Sequence, residues 1–281
     1  MNDLQKAQFE ILKAFIQVCE KHHLTYYLNS GTCLGAVRHK GFIPWDDDID
    51  VCLPREDYEK FLKLQYEFDG TPFFIQTFET DPKYTYNFAK VRNSNTTCIE
   101  SFYKFNQQNH GVWIDVFPLD GFSKEVKEPI KFKRKVKRIW WNVYLCYPWG
   151  VRRKIRLKHF FKDLGLDLFA LLFFWGNVGH YRNKMLEKRM KKIPFSESKM
   201  AGVWHEIMVS KAAMPTEIFG KGSVGEFEGL KVMLPEDVDK YLTLLYGDYM
   251  TPPPEGKREG HHGMSGVSMT VGYKEYMKDK F

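Results

Sequence analysis

At 281 residues and 33.2 kDa, with 43% hydrophobic and 16% aromatic residues, the chain has enough apolar surface for one large domain or two modest ones, which excludes a disordered protein. Five cysteines, at positions 19, 33, 52, 98 and 146, show neither the close pairing of a zinc site nor the density of a disulfide scaffold, so reduced, mostly buried thiols in a cytoplasmic protein are expected. The net charge of +7 is uneven: residues 121–200 carry 21 Lys+Arg against 6 Asp+Glu, a local +15 that leaves the rest of the chain at −8.

The N-terminus MNDLQKAQFE lacks a basic start followed by an apolar stretch, so no cleaved secretory signal is expected. The longest apolar run, Leu168 to Trp175, falls well short of the about 20 residues a membrane span needs. Leu4, Ile11, Leu12, Phe15, Ile16 and Cys19 recur at helical spacing and predict an amphipathic first helix over residues 3–23. TYYLNSGT predicts a short strand entering a glycine turn, and CLGAVRH a short helix after it. Ile49, Val51 and Leu53 then alternate with Asp48, Asp50 and Cys52, which is the period of a strand. REDYEKFLKLQYEF returns to helical spacing, while FFIQTF, YNFAKVR and HGVWIDVFPLD predict further strands. Residues 1–120 therefore predict an α+β core, a mixed sheet flanked by helices. Residues 121–200 change to long basic and aromatic helices. Residues 201–281 complete the first part with a hairpin in VGEFEGLKVMLP and a helix in PEDVDKYLTLLYGDY. The Pro/Gly-rich loop MTPPPEGKREGHHG then follows, and it needs packing or a ligand to order it.

The stretch GFIPWDDDIDVCLP puts Asp46, Asp47, Asp48 and Asp50 immediately before an apolar strand. On an extended chain Asp48 and Asp50 share a face, and Asp46 joins them. Two carboxylates about 4 Å apart repel by about 4 kcal/mol at an effective dielectric near 20, so such a site binds protons or a cation. Oxygen ligands without Cys or His indicate Mg²⁺ or Mn²⁺. A solvated acidic turn is the alternative, but Pro44 and Trp45 clamp the cluster, a buried strand follows it, and SGTCLG precedes it. Asp115, inside the apolar strand GVWIDVFP, is costly to bury unless paired or metal-bound, and it completes the site. Asp120 competes with it, but LDG reads as a turn.

A Gly-Thr turn at a helix start, Asp-x-Asp on a strand and a third acid on a neighbouring strand resemble the nucleotidyltransferase superfamily of the polymerase-β type. More narrowly, LNSGTCLGAVRHKGFIPWDDDIDVCLPREDYEKFL, AKVRNSNTTCIE, HGVWIDVFPLDG and LPEDVDKYLTLLYGDYMTPP resemble the LicD family, which includes bacterial phosphocholine transferases and is related to fukutin-type ribitol-phosphate transferases. The resemblance implies a polymerase-β-like core with a helical basic and aromatic insertion. It also implies transfer of a phospho-alcohol, phosphocholine foremost, from a CDP-activated donor to a hydroxyl of a lipid-linked cell-surface glycan or teichoic acid precursor. Under this reading Asp48 and Asp50 are metal ligands with Asp46 outside them, and Asp115 completes the metal site and takes the acceptor proton. Ser30, Gly31 and Thr32 meet the donor phosphate at the helix start. Arg38, His39, Lys90 and Arg92 are candidate phosphate contacts, as are His261 and His262 in the tail loop. The bland readings are an Arg38–Asp47 ion pair, a solvent-facing Lys90 and Arg92, and a mobile surface pair of histidines.

The basic, aromatic residues 121–200 suit an anionic membrane surface on the cytoplasmic side; an ordinary helical subdomain competes with this, and nucleic acid is the weakest partner. Two other functions compete with phospho-alcohol transfer: addition of a nucleotide to a small molecule or RNA, and an inactive membrane-bound scaffold. The complete set of acids argues against the scaffold.

Overall fold

The computed structural model describes residues 1–103, 106–123, 178–203, 213–258, 260 and 262–278. Most of the basic segment, Cys146 and His261 lie outside the described residues. Helix α1 (Asp3–Lys21) opens with a capping box, in which the Asn2 side chain accepts from Gln5 N and the Gln5 side chain accepts from Asn2 N. Its stripe of Ile11, Leu12, Phe15, Ile16 and Cys19 is buried against the sheet, as the spacing predicts. Strand β1 (Tyr27–Leu28) leads into α2 (Ser30–Arg38), which begins at Ser30, so the predicted glycine turn is already the first turn of the helix.

Next come β2 (Asp50–Pro54), α3 (Arg55–Phe61), β3 (Phe73–Gln76), β4 (Ala89–Asn93), β5 (Thr97–Glu100) and β6 (Val112–Ser123). After them the described chain holds α4 (Val178–Met190), β7 (Met200–Gly202), β8 (Met214–Pro215), β9 (Ser223–Phe227), β10 (Leu230–Leu234), α5 (Val238–Tyr246) and β11 (Met264–Ser268). The sheet runs β1-β2-β6-β4-β3, with β7 and β8 added along β6. Its pairings are antiparallel except β2 with β6, so the sheet is mixed, and the fold is α+β. β6 crosses residue 120 to pair with β7 in the main sheet, while β11 of the tail pairs with β5 in a separate two-stranded sheet.

Two registers matter for the site. Asp50 on β2 lies opposite Asp115 on β6, and Lys90 on β4 lies opposite the same Asp115. Residues directly opposite in a ladder point to the same face, so three charged side chains form one row across three strands. β2 departs from simple alternation: Cys52 is as buried as Val51 and Leu53, because an inner strand is covered on both faces. Cys19, Cys33, Cys52 and Cys98 are free and buried.

The hairpin β9–β10 turns through Glu228 (φ 51°) and Gly229 (φ 79°), two successive left-handed residues that match the twist of a tight hairpin. That turn docks on the segment ahead of the acids: Glu228 N donates to Lys40 O (2.7 Å) and Phe42 N donates to Glu228 Oε1 (3.0 Å). A Cβ on Gly41 would sit 2.2 Å from Glu228 Oε1, so this close approach requires glycine.

Asp120 overturns its reading as a turn residue. It is fully buried within β6 and accepts two bonds from Arg55, Nε to Oδ1 at 2.6 Å and Nη2 to Oδ2 at 2.8 Å. Burial pushes its carboxyl up to about 6, against the opposing pull of Arg55. Arg55 also meets Glu59 (3.1 Å) and Glu187 (3.8 Å), which ties α3, β6 and α4 together. Asp120→Ala, which strands a buried guanidinium, is expected to lower stability by about 3–5 kcal/mol in urea denaturation; an unchanged midpoint would show the pair to be dispensable.

Candidate active site

The acidic segment is held from two sides. From α1, Gln5 Nε2 donates to Asp46 O (3.0 Å) and Gln8 Nε2 donates to Asp47 O (2.8 Å). From α2, Asp50 N donates to Thr32 Oγ1 (2.8 Å), and Asn29 N donates to Asp50 O (2.9 Å). A Cβ on Gly31 would lie 3.0 Å from Asp46 Oδ2, so the Asp46 carboxyl rests against the first turn of α2. Ser30 has a left-handed backbone (φ 43°), held in a closed ring of bonds. In that ring Ser30 N donates to Tyr241 Oη (3.0 Å), Tyr241 Oη to Asn29 Oδ1 (2.7 Å), and Asn29 Nδ2 to Ser30 Oγ (3.0 Å). Strain of this kind persists only where the surroundings enforce it, and here a residue of α5 does so.

Asp48, Asp50 and Asp115 bring carboxylate oxygens within 4.8 Å of one another. Asp115 Oδ1 is buried and ion-paired with Lys90 Nζ (2.9 Å). Three converging hard oxygens, with the Lys90 ammonium beside them, fit a divalent ion such as Mg²⁺ or Mn²⁺, and Asp48, Asp50 and Asp115 are the residues able to hold it. Asp47, Asp48 and His262 form a second group within the same 4.8 Å limit.

Lys90 and Arg92 are buried, 1% and 0% exposed, which corrects the reading of a solvent-facing pair. The Lys90 ammonium sits 4.2 Å from the centre of the Trp113 ring and 3.7 Å from Glu100 Oε2. Arg92 donates to Gln76 Oε1 (2.7 Å) and Gly111 O (2.8 Å) and meets Glu100 at 3.4 Å, so it braces the site from behind and has no path to a phosphate. Burial alone would raise Glu100, but Lys90 and Arg92 override it and hold the carboxyl below its ordinary range.

Burial first, then Asp48 and Asp47, push Asp46 up to about 8. Burial likewise raises Asp48, with His262 pulling the other way. Burial would lower His262, yet Asp47 and Asp48 raise it to about 9. His262 donates its backbone N–H to Asp47 Oδ2 (3.0 Å), sets Nδ1 3.0 Å from Asp47 Oδ1, and meets the Trp113 ring edge-on. The tail loop is therefore fastened across the acids, and His262 is no mobile surface residue.

Arg38 and His39 lie at the far end of α2. Arg38 Nη1 donates to Tyr249 O (2.6 Å), while Asp47 is held by His262, so the expected Arg38–Asp47 pair does not form. Sequence reasoning missed Gln5, Gln8, Asn29, Glu100, Trp113 and Tyr241. The two glutamines did leave a signal: Gln8 lies three and four positions before Ile11 and Leu12, and Gln5 three before Gln8, so both extend the apolar stripe of α1, where a polar group needs a buried partner.

The chain is 30% identical over 265 residues to the lipopolysaccharide cholinephosphotransferase LicD of Haemophilus influenzae, an alignment that covers 93% of this chain and 96% of that protein. The chain belongs to the LicD family. The family model described as "LicD/FKTN/FKRP, nucleotidyltransferase domain" matches residues 23–142, a span that includes every acid of the site together with Lys90 and Arg92. Among other relatives, an uncharacterised Rickettsia prowazekii protein is 27% identical over 116 residues, 41% of this chain and 40% of its own. The human ribitol-5-phosphate transferase FKTN is 31% identical over 68 residues, 24% of this LicD-family chain and 15% of the human protein. Its named relatives are transferases, and among the described residues no helix is long and apolar enough to cross a membrane.

The raised groups set a pH dependence. Asp46 and His262 are shifted upward on folding, from 3.8 to about 8 and from 6.5 to about 9, so each adds stability at low pH that is lost as pH rises through the higher value. In EDTA, the melting temperature is expected to fall between about pH 6.5 and 9, and less steeply in Asp46→Asn and His262→Gln. A wild-type profile that is flat or rising over that window would contradict the assignment.

Proposed function

We propose that the chain transfers a phospho-alcohol, phosphocholine in the first instance, from a CDP-activated donor to a hydroxyl of a lipid-linked cell-surface glycan or teichoic acid precursor. The observation that carries this reading is the convergence of Asp48, Asp50 and Asp115 in a LicD-family chain. The core is proposed to be a polymerase-β-like nucleotidyltransferase fold. The work is placed at the cytoplasmic face of the membrane, with the basic residues 121–200 as the peripheral contact.

A bound Mg²⁺ or Mn²⁺, held by Asp48, Asp50 and Asp115, would neutralise charge on the donor diphosphate and on the leaving CMP. The protein's own contribution is placement. The first turn of α2, with Ser30, Gly31 and Thr32, is the proposed seat of the donor phosphates, where the backbone N–H groups of Gly31 and Thr32 and the helix dipole favour an anion. The Asp46 carboxyl, raised to about 8 by burial and its acidic neighbours, rests against that turn. Lys90 and Trp113 fix Asp115 against β4. The acceptor hydroxyl oxygen attacks the phosphorus bearing the choline in line, the bond to the CMP oxygen breaks, and the hydroxyl proton passes to Asp115. The fully buried Trp113 ring packs edge-on against His262 behind the acids.

Incubation with CDP-choline and a hydroxyl-bearing glycan is expected to release CMP and leave phosphocholine on the sugar. Release of pyrophosphate with a nucleotide on the acceptor would establish nucleotidyl transfer instead. Asp48→Ala and Asp50→Ala are expected to abolish turnover while retaining the fold, since each removes a repulsive charge. Asp115→Asn is expected to lower kcat by at least about 100-fold. Near-full activity in any of the three would remove the site assignment.

A further inference from the structure

The opposite end of α2 carries an arrangement that mirrors the acid cluster in sign. Arg38 Nη1 is anchored on Tyr249 O (2.6 Å), and its Nε points at His39 Nδ1 (3.4 Å). The His39 ring meets Trp45 edge-on at 6.3 Å, and the Arg258 guanidinium lies 5.2 Å from the centre of the same indole, with Nε donating to Pro253 O (2.8 Å). Arg258 is near enough to weaken proton binding at Arg38, and Arg38 in turn lowers His39 below its ordinary range, after the larger effect of burial on each.

Among the described residues, no carboxylate lies within ion-pair distance of Arg38 or His39, and Arg258 has only Glu255, 4.0 Å away and 91% exposed. Neutral carbonyls hold both guanidiniums in place, and among the described residues the exposed Glu255 is the only carboxylate within ion-pair distance of either. Each keeps N–H donors on its outer nitrogens, and a neutral His39 whose Nδ1 accepts from Arg38 carries its proton on Nε2. Two like charges fixed together on a half-buried surface are complementary to an anion with several acceptor oxygens. Trp45 is the residue before Asp46, so the cationic cluster adjoins the carboxylates directly.

We propose that Arg38, His39, Trp45 and Arg258 form a second substrate subsite that takes a phosphate group, carried by the donor or by a phosphorylated acceptor. Only the naming of those two sources rests on the proposed transfer reaction; the anion site stands on its own geometry.

Inorganic pyrophosphate titrated calorimetrically into the full chain in EDTA tests the anion site without metal or turnover. Wild type is expected to bind, Arg38→Gln and Arg258→Gln each to weaken binding at least about tenfold with unchanged circular dichroism and melting temperature, and Asp48→Ala not to weaken it. Absence of wild-type binding, or equal binding by both arginine variants, overturns the anion site. Kinetics with Arg258→Gln then assigns the source. A raised KM for CDP-choline alone assigns the site to the donor, and a raised KM for a phosphorylated acceptor alone assigns it to the acceptor. Neither KM moving overturns its role as a substrate subsite. Because pyrophosphate binding is read without turnover, failure of the transfer reaction leaves this result standing.

Discussion

The pairing of β2 with β6 places one carboxylate opposite another on the same face of a sheet, and the architecture of the site answers that conflict. At about 4 Å and an effective dielectric near 20, each such contact costs about 4 kcal/mol, a large fraction of a domain's total stability. The fold offsets part of it with cations from two directions: Lys90 from β4 and His262 from the tail. Part of it remains, in an Asp46 carboxyl that burial and its acidic neighbours raise to about 8. A site left short of positive charge in this way is poised for a cation that arrives from solution.

The same constraint explains why distant segments converge there. Gln5 and Gln8 reach from the first helix to the backbone of the acids. The β9–β10 turn fastens Lys40 and Phe42, Tyr241 of α5 locks the strained start of α2, and the loop carrying His262 lies across Asp47. The glutamines and His262 hold the acids themselves, and the other contacts hold α2 and the segment that leads from it to the acids. Preorganisation of this kind lowers the entropic cost of assembling a charged site when substrate binds.

Much of this was legible in the sequence where the signal was local. Alternation around Asp50 and an aspartate inside an apolar strand were enough to place Asp48, Asp50 and Asp115 together, because period and burial cost act within a few residues. What stayed hidden depended on partners far along the chain. Asp120 looked like a turn residue because its partner Arg55 is 65 positions away. Lys90 and Arg92 looked like a solvent face because alternating charges on a strand usually are one; the Trp113 ring and Glu100 that receive them come from other strands. For Arg38, read as a candidate phosphate contact with an Asp47 pair as the alternative, nothing local indicated that its guanidinium would donate to Tyr249 O.

Calorimetric titration of Mn²⁺ into metal-free protein in the presence of CDP tests whether the carboxylates of β2 and β6 capture a divalent ion. Saturable binding by wild type is expected, lost in Asp50→Asn, which keeps the size of the side chain and removes its charge. Equal binding by the two proteins, or none by wild type, would contradict that capture.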